Sequence, residues 1–170
     1  YQYEPANQGG TQYGNLTHIK EYDDINAATY YRETRRSYYP NTTNWIVGSV
    51  GEEGIYDSSG NLLSGTWYHY DGNNSSANTP PTKGTLTRLS KLVPIACGTV
   101  PGGGGSGCAN ARQTIDTYST YDVYGNLKTT STYTEYGYRT FNSSWGIVKE
   151  SPPTSPARTT TITYDTDYNL

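Results

Sequence analysis

The pattern Tyr-Asp-x-x-Gly-Asn-Leu occurs twice in full, at Tyr56-Asp57-Ser58-Ser59-Gly60-Asn61-Leu62 and at Tyr121-Asp122-Val123-Tyr124-Gly125-Asn126-Leu127. Two partial copies accompany it. Gly14-Asn15-Leu16 keeps the second half. Tyr164-Asp165 and Asn169-Leu170 keep the two ends. The four leucines stand 46, 65 and 43 positions apart. These gaps lie close to two, three and two units of about 22 residues, a spacing typical of stacked repeats. Recurrence of this kind constrains architecture before it says anything of chemistry.

Each heptapeptide reads as a hairpin turn. Asp accepts hydrogen bonds from backbone amides just downstream of it and so starts a turn. Gly-Asn supplies positions that tolerate positive φ. Leu then opens the next strand on its buried face. The flanks suit a pleated surface: Thr117-Tyr118-Ser119-Thr120 leads in, and Lys128-Thr129-Thr130-Ser131-Thr132-Tyr133 leads out. The expectation is an all-β chain of antiparallel hairpins, with helix nearly absent.

The heptapeptide resembles the YD repeat of Rhs proteins, teneurins and the shell component of Tc toxin complexes. The likeness extends through Arg32-Glu33-Thr34, Tyr38-Tyr39-Pro40-Asn41, Trp45 to Gly48, Tyr68-His69-Tyr70-Asp71-Gly72 and Pro80 to Gly84. It lapses at about 94–112, which has the character of a Gly-rich loop insertion, and again from Tyr136 to Arg158. Such repeats build a hollow shell from a spiralling β-strip that encloses a cargo, often a toxic domain in bacteria. The resemblance therefore implies that residues 1–170 form one continuous section of a YD-repeat shell or strip. The family's shell-closing Pro-x-x-x-x-Asp-Pro-x-Gly-Leu motif and its autoproteolytic aspartate pair are absent from this sequence. The chain starts at Tyr1 in mid-pattern, contains no Met and stops at a repeat signal, so a section of a larger polypeptide is expected.

Composition then bounds the core. Only 32% of residues are apolar and mean hydropathy is −0.80, yet aromatics reach 14%, with 19 Tyr, and net charge is −3. Disordered chains combine low hydropathy with few aromatics and high charge. A folded β protein is expected here, its core built from tyrosine rings and scattered Leu, Ile and Val. Tyr suits that role because its ring buries area while its hydroxyl finds a partner. Arg35 and Arg36 are expected beside tyrosine faces.

Cys97 and Cys108 bracket a glycine-rich stretch. A disulfide closing this short loop is the expectation, worth about 3 kcal/mol of unfolded-state entropy on the chain model. It would place the protein in an oxidising, extracellular compartment. Two free thiols in a reducing compartment, or a flexible Gly-Ser linker, are the alternatives. Sequons at Asn15, Asn41, Asn73, Asn74 and Asn142 are compatible with secretion.

Hydrophobic alternation and turn residues assign the rest. Strands are expected at Leu16 to Tyr22, Leu62 to Tyr70, Gly84 to Ile95, Phe141 to Val148 and Arg158 to Tyr164, and Ala27 to Tyr39 reads as a strand pair or one long strand. Gln113 to Tyr138 is a hairpin around the second full heptapeptide. Trp45 to Val50 is the best core strand of the first half. Gly51 to Gly54 is a turn that leaves Glu52 and Glu53 solvated. Residues 71–82 and 96–112 are loops, and three prolines between Ser151 and Pro156 exclude a central strand.

Candidate chemistry is sparse. His18 and His69 lie in strand patterns with no ligand set around them, and a surface or half-buried strand role is expected for both. One Asp per repeat, at Asp57, Asp122 and Asp165, fits turn capping and not a calcium solenoid. The glycine run at 102–107 lacks the Lys-Ser or Lys-Thr of a phosphate loop. No catalytic residue, cofactor or metal is assigned, and the expectation is no enzyme. Weak negative charge argues against a nucleic-acid partner, and no run approaches 18 apolar residues for membrane insertion. Three functions follow: a structural shell segment of a secreted or cell-surface protein; a fibre subunit joined by strand pairing; and a carbohydrate-binding module using Tyr and Trp faces. The expected partners are further repeats of the same chain or neighbouring copies, with carbohydrate for the third.

Overall fold

A computed structural model describes residues 2–3, 13–24, 26–73, 79–93, 111–141 and 147–164. The expected Cys97–Cys108 pair, the Gly-rich insertion and Asp165 lie outside the described residues, apart from 111–112. Eleven strands form among the described residues, and no helix. They are β1 (Gln2–Tyr3), β2 (Leu16–Glu21), β3 (Arg32–Tyr38), β4 (Val50–Asp57), β5 (Leu62–Tyr70), β6 (Leu86–Leu92), β7 (Ala111–Tyr121), β8 (Leu127–Tyr133), β9 (Gly137–Phe141), β10 (Ile147–Ser151) and β11 (Pro156–Thr161).

All pairings are antiparallel and, from β1 to β8, join neighbours in sequence, so the sheet is a meander. The long β7 pairs β8 along its second half, with Thr117 opposite Thr132, and β9 along its first half, with Thr114 opposite Gly137. β8 and β9 thus act as one interrupted row. β10 and β11 make a second such row outside it. The result is nine antiparallel rows, β1 through β7 followed by these two, in a sheet that does not close among the described residues.

Register places one set of side chains on a common face. Glu52 is opposite Trp67, Trp67 opposite Ser90, Ser90 opposite Asp116, and His69 opposite Arg88. This face is concave. Arg139 of β9 packs on Trp67 and His69 of β5, three rows away. Rows are about 4.8 Å apart and side chains stand roughly perpendicular to them, so such a contact requires the sheet to curl.

The core differs from the tyrosine core that composition suggested. Among the described residues the buried apolar side chains are Trp67 and Leu92, with Leu62 against them. Around them the buried side chains are polar or charged: Glu33, His69, Arg88, Ser90, Gln113, Thr114, Asp116 and Arg139. Most tyrosines are half-buried at its margins. Such a core holds only because its polar groups meet one another.

Three local expectations are corrected. Gly51 to Gly54 is the middle of β4 and not a turn. Its glycines clear space for aromatic rings, Tyr39 over Gly51 and Tyr56 over Gly54. Glu52 is consequently half-buried, opposite Trp67, and Glu53 pairs with Arg36 at 2.7 Å. Trp45 to Val50 is not a core strand. Residues 41–46 form a tight turn, closed by backbone bonds between Asn41 and Ile46, and Trp45 is 72% exposed at φ 54°. The strand expected over Ala27 to Tyr39 begins only at Arg32.

Candidate functional site

Two constructions recur or converge in this sheet, and the first is the turn with its tyrosine clamp. In the β4–β5 turn, Asp57 Oδ1 accepts from the backbone amides of Ser59 (2.9 Å) and Asn61 (2.8 Å), and Oδ2 from Asn61 Nδ2 (2.8 Å). The β7–β8 turn repeats this atom for atom. Asp122 Oδ1 accepts from Tyr124 N (2.9 Å) and Asn126 N (2.8 Å), and Oδ2 from Asn126 Nδ2 (3.1 Å). Gly60 and Gly125 take φ of 82° and 88°, whereas Asn61 and Asn126 are not at positive φ. Asn therefore serves through its side-chain amide and not through backbone freedom.

These bonds depress both carboxyl groups. For Asp57 the Asn61 side-chain bond is the leading cause. For Asp122 desolvation pushes upward, and the bonds to Asn126, Tyr124 and Gly125 outweigh it. A third capping aspartate, Asp71, went unassigned in the sequence. At φ 57° its carboxylate gathers the amides of Thr82, Lys83, Gly84 and Thr85. Its signal was the Tyr70-Asp71-Gly72 triplet.

The two full heptapeptides lie at opposite ends of the sheet, since one joins an even to an odd strand and the other the reverse. The repeating unit is instead a strand pair closed by tyrosine. Tyr38 Oη donates to the Leu16 carbonyl (3.0 Å), Tyr70 to Val50 (2.9 Å), Tyr121 to Leu86 (2.8 Å) and Tyr164 to Leu127 (3.0 Å). In each case the last tyrosine of a unit holds the first carbonyl of the same unit. The unit starts lie 34, 36 and 41 positions apart, so the 22-residue period does not describe them. Of the clamp tyrosines, Tyr121 and Tyr164 belong to the heptapeptide set. Tyr38 and Tyr70 were missed because no full motif follows them.

Side-chain amides link successive units along the rim where β2, β4, β6 and β8 begin. Asn15 Nδ2 donates to the Val47 carbonyl (2.7 Å), Asn41 Nδ2 to Pro81 (2.8 Å) and Asn44 Nδ2 to Thr82 (2.7 Å). Asn15 and Asn41 head two of the sequons, and their amide nitrogens are committed here.

The second construction is the polar cluster on the concave face. Arg88 Nε meets Asp116 Oδ1 at 3.1 Å with both side chains wholly buried. Ser90 Oγ also bonds Asp116 Oδ1, and Thr114 Oγ1 bonds Oδ2 at 3.1 Å. Gly137 makes room for this, because a Cβ there would overlap Asp116 Oδ2 and Thr114 Oγ1. Arg139 stacks on the Trp67 ring at 4.4 Å, and its Nη2 lies 2.6 Å from His69 Nε2. Burial raises the Glu52 carboxyl, and Arg139 and a Trp67 hydrogen bond offset part of the rise. Burial, then the Glu52 charge, push Tyr39 up to about 12.

His69 is thus central to the buried face, against the surface or half-buried role expected of it. His18 is half-buried, with Nδ1 3.0 Å from Thr17 Oγ1. Arg35 lies over the Tyr56 ring at 4.4 Å, and Arg36 pairs with Glu53 beside Tyr38 and Tyr68. No group of three or more His, Cys, Asp or Glu that could hold a metal occurs among the described residues. Comparisons with protein-family models, with curated proteins and with solved structures return no match.

Proposed function

We propose that this chain is a structural wall section of the kind built by Rhs/YD-repeat proteins, serving to enclose or display another part of its parent at the cell surface or outside the cell. The observation that carries this reading is the tyrosine clamp repeated in four successive strand pairs. Each unit is closed on itself by the same bond, and rim amides join the first three, which is the nearest-neighbour logic of a repeat array. In this reading its partners are further repeats or neighbouring copies.

The test is modular. Duplicating residues 50–85, one strand pair with its rim loop, should give a folded protein longer by two strand spacings, about 10 Å, in small-angle scattering. A duplicated chain that fails to fold where the parent folds would count against a repeat wall. Alkylation and mass analysis of a non-reduced digest examines the compartment: Cys97 and Cys108 should be joined, and two alkylatable thiols would oppose a secreted protein.

Two observations favour the other readings. The outer strand β11 is exposed along its whole length and rich in Thr, which suits strand pairing between copies, although Pro156 and Arg158 blunt that edge. Trp45, exposed on the rim with Tyr13 edge-on at 6.0 Å, presents an aromatic platform suited to a sugar ring. Glycan-array binding that is lost in Trp45→Ala would favour the latter.

A further inference from the structure

The curl of the sheet is fastened by a contact between two basic side chains. A guanidinium carries only donors, so His69 Nε2 must be the acceptor in the 2.6 Å contact with Arg139 Nη2. The imidazole is therefore neutral, with its proton on Nδ1. Both side chains are buried, with 1% and 0% of their surface exposed. We propose that this contact is an acid-operated latch: protonation of His69 releases β9 from β5 and opens the concave face.

The surroundings decide the direction. Arg88 stands opposite His69 in register from β6. Asp116 of β7 is already engaged by Arg88, Ser90 and Thr114. Trp67 lies under the Arg139 guanidinium, and Tyr39 lies near Glu52 and Arg139. A proton added at Nε2 sets N–H against N–H and puts a second cation beside Arg139, with Arg88 a third nearby. Glu52 of β4 is the carboxylate left to answer them. Burial raises its pKa, with Arg139 and a Trp67 hydrogen bond offsetting part of the rise. The Nη2–Nε2 bond then breaks, and the row that carries Arg139 loses its hold on β5. Rows β2 to β4 carry other ion pairs, Arg32–Glu21 and Arg36–Glu53, and stay paired.

Hydrogen exchange of the full chain between about pH 7.5 and about pH 5, which bracket the ordinary imidazole value, reads the latch directly. After correction for intrinsic rates, protection of residues 137–141 should fall about tenfold per pH unit once His69 titrates, while β2 to β4 keep theirs. His69→Gln offers an acceptor that does not titrate and should hold protection at the lower pH. Glu52→Gln retains His69 and should still release. Unchanged protection in the natural chain, or release of His69→Gln in parallel with it, would overturn the proposal. Should His69→Gln not fold, nitrogen-15 shifts of the natural His69 ring decide. An Nδ1–H tautomer lost together with protection supports the latch, and a proton on Nε2 at neutral pH refutes it.

Discussion

Glycine does two different jobs in this chain, and single substitutions separate them. At Gly125 the backbone sits at φ 88° with nothing within 4 Å of where a Cβ would stand. Gly125→Ala should therefore cost only conformational strain, about 1–2 kcal/mol. At Gly137 space is the issue, because a methyl group would displace the Asp116 carboxylate from Thr114. Gly137→Ala should cost about 1–3 kcal/mol by overpacking and also disturb the Arg88 pair. Chemical denaturation of both variants measures the sum. Chemical shifts at Thr114 and Asp116 should move for Gly137→Ala and stay put for Gly125→Ala. Neither job is visible in composition. The turn glycines were legible because φ is a local property set by a local motif. The packing glycines were not, and Gly51 and Gly54 were misread as a turn: Tyr39 reaches Gly51 only through the fold, and Tyr56 lies over Gly54 only because β4 is extended there.

For the strand pair, the clamp and the capped turn are the elements to break. Tyr121→Phe removes only the hydroxyl that meets the Leu86 carbonyl at 2.8 Å. A loss of about 0.5–1.5 kcal/mol is expected, with faster amide exchange at the junction of β6 and β7 and little change in β2 and β3. Equal loosening everywhere would mean the clamp is not local. The capped turns set an acid limit. Asp57, Asp71 and Asp122 are all held below the ordinary aspartate range. Groups depressed in the folded state stabilise it above their unfolded value, about 3.9, and that contribution disappears as pH falls through the folded values. Glu52, raised by burial, works in the opposite sense, since its folded form holds a proton more readily. The turns should thus open below about pH 4, a range distinct from the latch on β9. Replacing Asp122 with Asn should flatten the acid response of the β7–β8 turn amides in an NMR titration.

Across the whole sheet, stability depends on a charged core that must be complete. Asp116→Ala strands Arg88 without a carboxylate in a space with no solvent, and should cost about 3–5 kcal/mol. Replacing Arg88 and Asp116 together with Met and Leu should recover most of that loss, as buried pairs often break even with apolar residues of similar volume. Thermal unfolding of the single and double variants checks the difference. A double variant no better than the single would mean that Ser90, Thr114 and Gly137 hold the site to one polar solution.

The sequence by itself determined the all-β class, the antiparallel hairpins and the Asp-capped turns at Asp57 and Asp122. Each depends on residues within four positions of one another, so the physics is complete in the local chain. Only the tertiary structure decided which face would be enclosed. Alternation on β6 separates Arg88, Ser90 and Leu92 from Leu89, yet hydropathy alone favours neither set as the buried one. The curl settles it, by bringing Arg139 across three rows onto His69 and Trp67. The same curl turns Glu52 toward the enclosed face beside Trp67, whereas Trp45 stays outside on its rim turn.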